Sequence, residues 1–201
     1  MRLIFTRHGE SEANLQRIIS NRDLPHQLSE IGRLQANALA DRLATLEVAA
    51  IYASPILRAQ QTASIVAEKV GLSIYTADAL REFDCGVMEG RSDEEAWKAH
   101  DAVVEAWDKG DYFYCIPGGE NFNDGRARFV PFVERLVEEY AQSDGNIVLM
   151  SHGSLLQQML PLVLSNIDRA FSQQHPLGNG ACVFAALRGS QLVCLEWDSI
   201  Q

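Results

Sequence analysis

Two segments far apart in the chain share one grammar. In Leu3-Ile4-Phe5-Thr6-Arg7-His8-Gly9-Glu10 an apolar run stops at a cation, an imidazole and a glycine. In Asn146-Ile147-Val148-Leu149-Met150-Ser151-His152-Gly153 an apolar run again ends in His-Gly. Between them, Ser54-Pro55-Ile56-Leu57-Arg58-Ala59-Gln60-Gln61-Thr62-Ala63 follows a third apolar run and carries an arginine in its first turns. Imidazole is nucleophilic while unprotonated near neutral pH, and guanidinium is a permanent planar cation matched to phosphate oxygens. One such strand end reads equally well as a basic patch on the surface. Two imidazoles facing each other across one crevice, with Arg7 and Arg58 beside them, are equipped to bind a phosphate group and attack its phosphorus.

The elements that must position these side chains follow from pattern. Short apolar runs ending in turn residues read as buried strands, and side chains at the carboxyl ends of strands in an open α/β sheet project into the ligand crevice. Ser11 to Gln27 is polar and irregular and reads as a loop around the pocket mouth. Ser29 caps a helix to about Leu46, with Ile31, Leu34, Ala38, Leu39, Leu43 and Leu46 on one buried face. Ala49–Ala53 is a strand, and Ser54-Pro55 reads as the start of a helix ending at Gly71. A short strand near 73–75 follows. Ser92-Asp93-Glu94-Glu95 resembles a capping box opening a helix through Trp97 and Trp107. Asp124 to about Tyr140 is helical despite Pro131, with Phe129, Phe132, Val133, Leu136 and Val137 inward. A helix to about Leu164 follows His152, and 180–187 and 191–197 read as two closing strands. Strands alternating with helices imply an α/β fold: a three-layer sandwich of a mostly parallel central sheet with helices on both faces.

The chain resembles the histidine phosphatase (phosphoglycerate mutase-like) superfamily in five ordered motifs. These are Arg7-His8-Gly9-Glu10; Ser54-Pro55 with Arg58-Ala59 and Gln61-Thr62-Ala63; Leu80 with Glu82, Gly86, Glu89 and Gly90; Pro117-Gly118-Gly119-Glu120; and Ser151-His152-Gly153. The resemblance covers nearly the whole chain. It implies a phosphoglycerate mutase-like fold over 1–201 as a single domain, with the irregular 83–124 as a pocket-capping insertion.

Phosphoryl transfer needs a nucleophile, cations around the equatorial oxygens and a proton for the leaving oxygen. The residues supply one candidate for each, and the resemblance assigns the same roles. His8 is the nucleophile, Arg7 and Arg58 bind the phosphoryl oxygens, and a protonated His152 adds a donor. Glu82 protonates the leaving group and then activates water. Ser11 and Asn14 match positions that touch substrate in the family, and Gly153 joins Arg7, Arg58 and His152 there. Against these roles stand plainer ones: Glu82 as ion-pair partner of Arg81, and Glu10 as a structural carboxylate, which is its expected role. His26, His100 and His175 read as surface residues, with His26 near the pocket mouth. Tyr112, Phe113 and Tyr114 either line a specificity pocket or anchor their loop. Asn121 stands where serine often follows Pro-Gly-Gly-Glu, Ser154 replaces a second glycine, and Ala13 replaces the tryptophan usual in mutases. The first two departures bear on substrate fit.

The expected activity is metal-independent hydrolysis of a small phosphorylated metabolite through a phosphohistidine, with no cofactor. The alternatives are a cofactor-dependent phosphoglycerate mutase, which tends to be longer, and a phosphate-binding regulatory module without turnover. A net charge of -10 argues against a nucleic-acid partner. Hydrophobic content of 47% with 22% charged residues suits a globular protein, and no apolar run is long enough for a membrane span or a signal peptide. Cys85, Cys115, Cys182 and Cys194 lack metal-like spacing. Cys182 and Cys194 read as core, a Cys85–Cys115 disulfide is unsupported, and a reducing cytoplasm is the default. A homodimer is compatible with the sequence, and no residue specifies one.

Overall fold

Leu3, Ile4 and Phe5 are all fully buried, because their strand lies inside a sheet covered on both faces, where sequence reads as a continuous apolar run. The computed structural model describes residues 1–198. It contains six strands: β1 (Arg2–Arg7), β2 (Val48–Ala53), β3 (Ile74–Thr76), β4 (Asn146–Ser151), β5 (Cys182–Arg188) and β6 (Gln191–Trp197). They lie in the order β3-β2-β4-β1-β5-β6. Pairings β3–β2, β2–β4 and β4–β1 are parallel, and β1–β5 and β5–β6 antiparallel, which gives the expected mostly parallel sheet.

Helices cover both faces. Successive strand residues point to opposite sides. Ile4, Ile51, Val148 and Met150 therefore meet α2 (Glu30–Ala44) and α3 (Leu57–Val70). Leu3, Phe5, Ile147 and Leu149 belong to one core with residues of α4 (Glu94–Asp108), α5 (Phe122–Glu139) and α6 (Gly153–Val163). The helices that follow the neighbouring strands β1 and β4 thus leave to opposite faces. That divergence opens a crevice at the carboxyl ends of the two strands. Arg7 pairs with Ser151 in register, so His8 and His152 are the next residues out on adjacent strands.

Several local readings change. α2 runs as expected from its Ser29 cap, whose hydroxyl accepts from Gly32 N at 2.9 Å, but its buried face is Gly32, Ala36, Leu39, Ala40 and Leu43. Ile31 and Leu34 are 55% and 70% exposed. Small residues win that face because α2 presses on the loop after β1: a Cβ on Gly32 would lie 1.9 Å from Glu10 O. α3 starts at Leu57, not Pro55, and Ile56 is its first flanking residue. α4 is capped by Asp93, which accepts from Ala96 N at 3.2 Å, so no Ser92 capping box forms. The stretch after Gly9 is not wholly irregular. It holds a one-turn helix, α1 (Glu12–Leu15). A short α7 (Arg169–Gln174) also forms where no helix was expected. Asn121 caps α5 and forms a capping box with Asp124, so this departure is explained by helix capping. All four cysteines are free, and Cys194 is only partly buried.

Phe129 of α5 is fully buried, with its ring centroid 6.2 Å from that of Phe5 in β1. Phe129→Ala is expected to lower the unfolding free energy by about 3–5 kcal/mol, read from the urea midpoint at unchanged slope.

Candidate active site

His8 and His152 are buried, and their rings stand edge to face with centroids 5.1 Å apart. Each ring's protonation follows from its neighbours. His8 Nδ1 is 2.7 Å from the Gly9 carbonyl, which can only accept, so Nδ1 carries the proton. Arg58 Nε donates to His8 Nε2 at 2.8 Å, so Nε2 is a lone pair. Arg58 Nη2 lies 3.1 Å from His152 Nδ1. A guanidinium only donates, so the proton of His152 sits on Nε2, where it is given to Ser54 Oγ at 2.7 Å. Burial and then the neighbouring Arg58 charge push both imidazoles well below their usual range. In the resting site His152 is therefore neutral, and its N–H points to Ser54.

Arg58 is itself buried, and desolvation lowers it to about 10. Its remaining donors reach the Ser20 carbonyl and, at 3.5 Å, Asn21 Oδ1. Arg7 Nη1 donates to Leu177 O at 2.7 Å. Its Nε is buried with no hydrogen-bond partner among the described residues. A buried unsatisfied donor costs about 1–3 kcal/mol, so this atom marks a place for an acceptor. Gly153 leaves room beside it, since a Cβ there would stand 3.1 Å from Arg7 Nε. Gly9 is held as closely on the other side: its N–H donates to Thr62 Oγ1 at 3.1 Å, and a Cβ would come 2.4 Å from Gly32 O.

Glu82 does not pair with Arg81, which bonds Asp78 and Asp23. Its carboxylate is buried and accepts from Phe83 N at 3.0 Å, Ser154 N at 2.9 Å and Leu155 N at 2.7 Å. Ser154 and Leu155 belong to the first turn of α6, whose N–H groups have no partner within the helix. Glu82 thus caps α6 from outside, and Ser154 contributes to the site through its backbone. Three of the four acceptor positions of the carboxylate are filled by N–H donors, and one is unfilled. Arg128 braces the segment carrying Glu82. Its Nη1 donates to Ala79 O and Arg81 O at 2.9 and 2.8 Å, and it forms a two-pronged pair with Glu120. Glu120 in turn accepts from Asp84 N.

Arg7, His8, Arg58, Glu82, Asn14 and Gly153 line one cleft of about 250 Å³. His152 lies behind its floor, bonded to Arg58. Ser11 does not line it. It is fully buried and spent on capping α1, its hydroxyl bonded to Asn14 Oδ1. Glu10 is structural as expected, accepting from Ser29 Oγ at 2.7 Å. His26 bonds Ser20 Oγ, a residue of the cleft wall. His100, read as a surface residue, lines the cleft together with Trp97, Asn21 and Gln157, none of which sequence reasoning selected. Trp97 and His100 are three apart on α4, at the edge of its buried stripe Ala96, Val103 and Trp107, and that offset was the available signal. The aromatic run does not reach the cleft. Tyr112 stacks on Phe122, while Phe113 and Tyr114 are exposed. Among the described residues no three His, Cys, Asp or Glu side chains are grouped to hold a metal ion, and no helix is long and apolar enough to cross a membrane.

Known proteins resemble this chain in sequence and fold. The sequence is 33% identical over 178 residues to a 2,3-bisphosphoglycerate-dependent phosphoglycerate mutase of Methylobacterium radiotolerans, covering 84% of this chain and 81% of that one. It is 32% identical over 168 residues to the glucosyl-3-phosphoglycerate phosphatase of Mycolicibacterium vanbaalenii, covering 81% and 74%. The chain spans 44% of the length of some mycobacterial relatives at similar identity. The solved structure of a mycobacterial glucosyl-3-phosphoglycerate phosphatase with VO3 superposes with a TM-score of 0.83 at 27% identity, covering 98% of each chain. The sequence profile of the histidine phosphatase superfamily (branch 1) matches residues 3–199, and the chain belongs to that superfamily.

Proposed function

We propose that the protein is a phosphomonoesterase working through a phosphohistidine on His8. The observation that carries this reading is the unprotonated His8 Nε2 held against Arg58 in a cleft that also contains Arg7 and Glu82. The Nε2 lone pair attacks phosphorus as the bond to the leaving oxygen breaks. Glu82, which takes up a proton as the phosphate dianion binds, gives that proton to the leaving oxygen. The Arg58 N–H that bonds Nε2 in the resting site passes to a phosphoryl oxygen, and Arg7 Nε finds its acceptor there. The Gly9 carbonyl, already bonded to Nδ1–H, favours the cationic ring that forms. In the second half Glu82 takes a proton from water, the water oxygen attacks phosphorus, and the P–N bond breaks to return Nε2 as a lone pair. In this reading His152 and Ser54 keep Arg58 in place, and residues 83–124 form a cap, contributing Trp97 and His100 to the cleft wall.

The family relatives that are phosphatases support hydrolysis. One observation favours a mutase instead, namely the 33% identity to the Methylobacterium enzyme. Hydrolysis of p-nitrophenyl phosphate in EDTA, set beside isomerisation of 3-phosphoglycerate primed with bisphosphoglycerate, separates the two. Hydrolysis without priming is the expected outcome, and His8→Ala is expected to remove it, together with acid-labile labelling of the protein by substrate phosphate. Labelling that survives in His8→Ala would assign the nucleophile elsewhere.

Glu82→Gln is expected to cost about 10²–10⁴ in kcat for alkyl phosphates. The loss should be much smaller for p-nitrophenyl phosphate, whose leaving group needs little protonation. Equal losses for both would remove Glu82 from proton transfer.

Because burial and Arg58 disfavour the cationic imidazoles, His8 and His152 should keep the ¹⁵N shifts of neutral rings at pH 6.5, where an unperturbed histidine is about half protonated. Both take up protons more readily in the unfolded chain. Their contribution to stability is thus complete above about pH 6.5 and is lost as pH falls below it. Denaturation midpoints measured from pH 7 to 5 should decline less in His152→Asn than in the wild type.

A further inference from the structure

We propose that the alcohol released by this cleft is uncharged: its substrates are monophosphates of neutral, hydroxyl-bearing alcohols, in preference to phosphorylated carboxylates and bisphosphates. The inference rests on the phosphatase reading and adds the substrate class. Among the described residues, Arg7 and Arg58 are the only arginine or lysine side chains lining the cleft, and both sit at its floor beside the reacting imidazole. One phosphoryl group occupies them. The walls above carry neutral amides, Asn14, Asn21 and Gln157, and the single acid in the lining is Glu82.

Neighbouring cations are already spent. Arg22 pairs with Asp84, Arg81 with Asp23 and Asp78, Arg91 with Asp93 and Glu95, and Arg169 with Asp108. The imidazole of His100 has the Asp101 carboxylate at 3.1 Å. Arg17 has no carboxylate partner among the described residues. Its guanidinium lies over the Trp97 ring, 5.6 Å from the centroid, and does not line the cleft. A second anion on the substrate would therefore lose water with no counter-ion to meet it.

The walls are also built to receive a neutral polyol. Arg17 holds a left-handed backbone, φ 52, unusual for a residue with a side chain. Its carbonyl accepts Trp97 Nε1–H at 2.7 Å. With its N–H engaged, the indole offers the cleft only carbon surface, which suits the C–H face of a sugar or polyol. The Asn14 Oδ1 is filled by donors from Ser11 and Asn179, which leaves its amide hydrogens for a substrate hydroxyl.

Glycerol 3-phosphate and 3-phosphoglycerate differ by a hydroxymethyl against a carboxylate and test this directly. Each is measured as substrate and as competitive inhibitor of p-nitrophenyl phosphate hydrolysis at about 0.1 M salt, where screening across the cleft is incomplete. The expected result is a preference of about tenfold or more for glycerol 3-phosphate in both kcat/KM and inhibition constant. Gln157→Lys, which adds a cation to the wall, should shift that ratio toward 3-phosphoglycerate by about fivefold or more. Equal or better handling of 3-phosphoglycerate by the wild type, or a ratio unmoved by Gln157→Lys, overturns the proposal. If p-nitrophenyl phosphate is not hydrolysed, the phosphatase reading fails separately. Calorimetric dissociation constants of the two compounds then decide: the same preference upholds a site for neutral alcohol phosphates, and parity overturns it.

Discussion

Arg58 reaches His8 Nε2 with one N–H and His152 Nδ1 with another, and a nitrogen that accepts from a guanidinium cannot also hold a proton. This one buried cation sets the tautomer of both rings. The cost of burying it is met by the Ser20 carbonyl, Asn21 and the two imidazole lone pairs, with the Glu82 charge acting on it across the cleft. The rest of the fold can be understood as what brings these groups together. α3 must carry Arg58 against one face of the sheet, β1 and β4 must be neighbours so that their first residues beyond the strands meet, and the loop after α1 must turn Ser20 and Asn21 inward. Glu89 secures that turn by accepting from Asn21 N and Cys85 N at 2.8 and 2.9 Å.

The meeting of Arg7, His8, Arg58 and His152 was legible because each lies within a short local pattern: a buried strand followed at once by Arg-His-Gly or Ser-His-Gly, and an arginine opening a helix. The bracing around Glu82 was not, for a physical reason. Arg128 bonds the carbonyls of Ala79 and Arg81, and a carbonyl is present at every residue, so no side-chain pattern announces such a partner. The misread face of α2 has a related cause. Hydrophobic periodicity selects large residues such as Ile31 and Leu34, whereas a helix pressed against a backbone loop needs small ones, here Gly32, Ala36 and Ala40. Ser11 was matched to substrate by resemblance, yet its hydroxyl is consumed in capping α1. Asn14, its partner in that cap, lines the cleft, so the structure separates two residues that resemblance had paired.

A phosphohistidine has two fates, return of the phosphoryl group to the same alcohol or transfer to water. The choice depends on how long the alcohol stays. An alcohol held by charge in a cleft with cations on its walls lingers and can be rephosphorylated at a second oxygen. An alcohol held only by amide hydrogen bonds and the carbon surface of Trp97 exchanges those contacts for equivalent ones with water, and so leaves cheaply. On the proposed phosphohistidine mechanism, the neutral walls of this cleft and the small Ala13 at its lining would favour release followed by hydrolysis, which would connect the charge distribution of the site to the fate of the phosphoryl group.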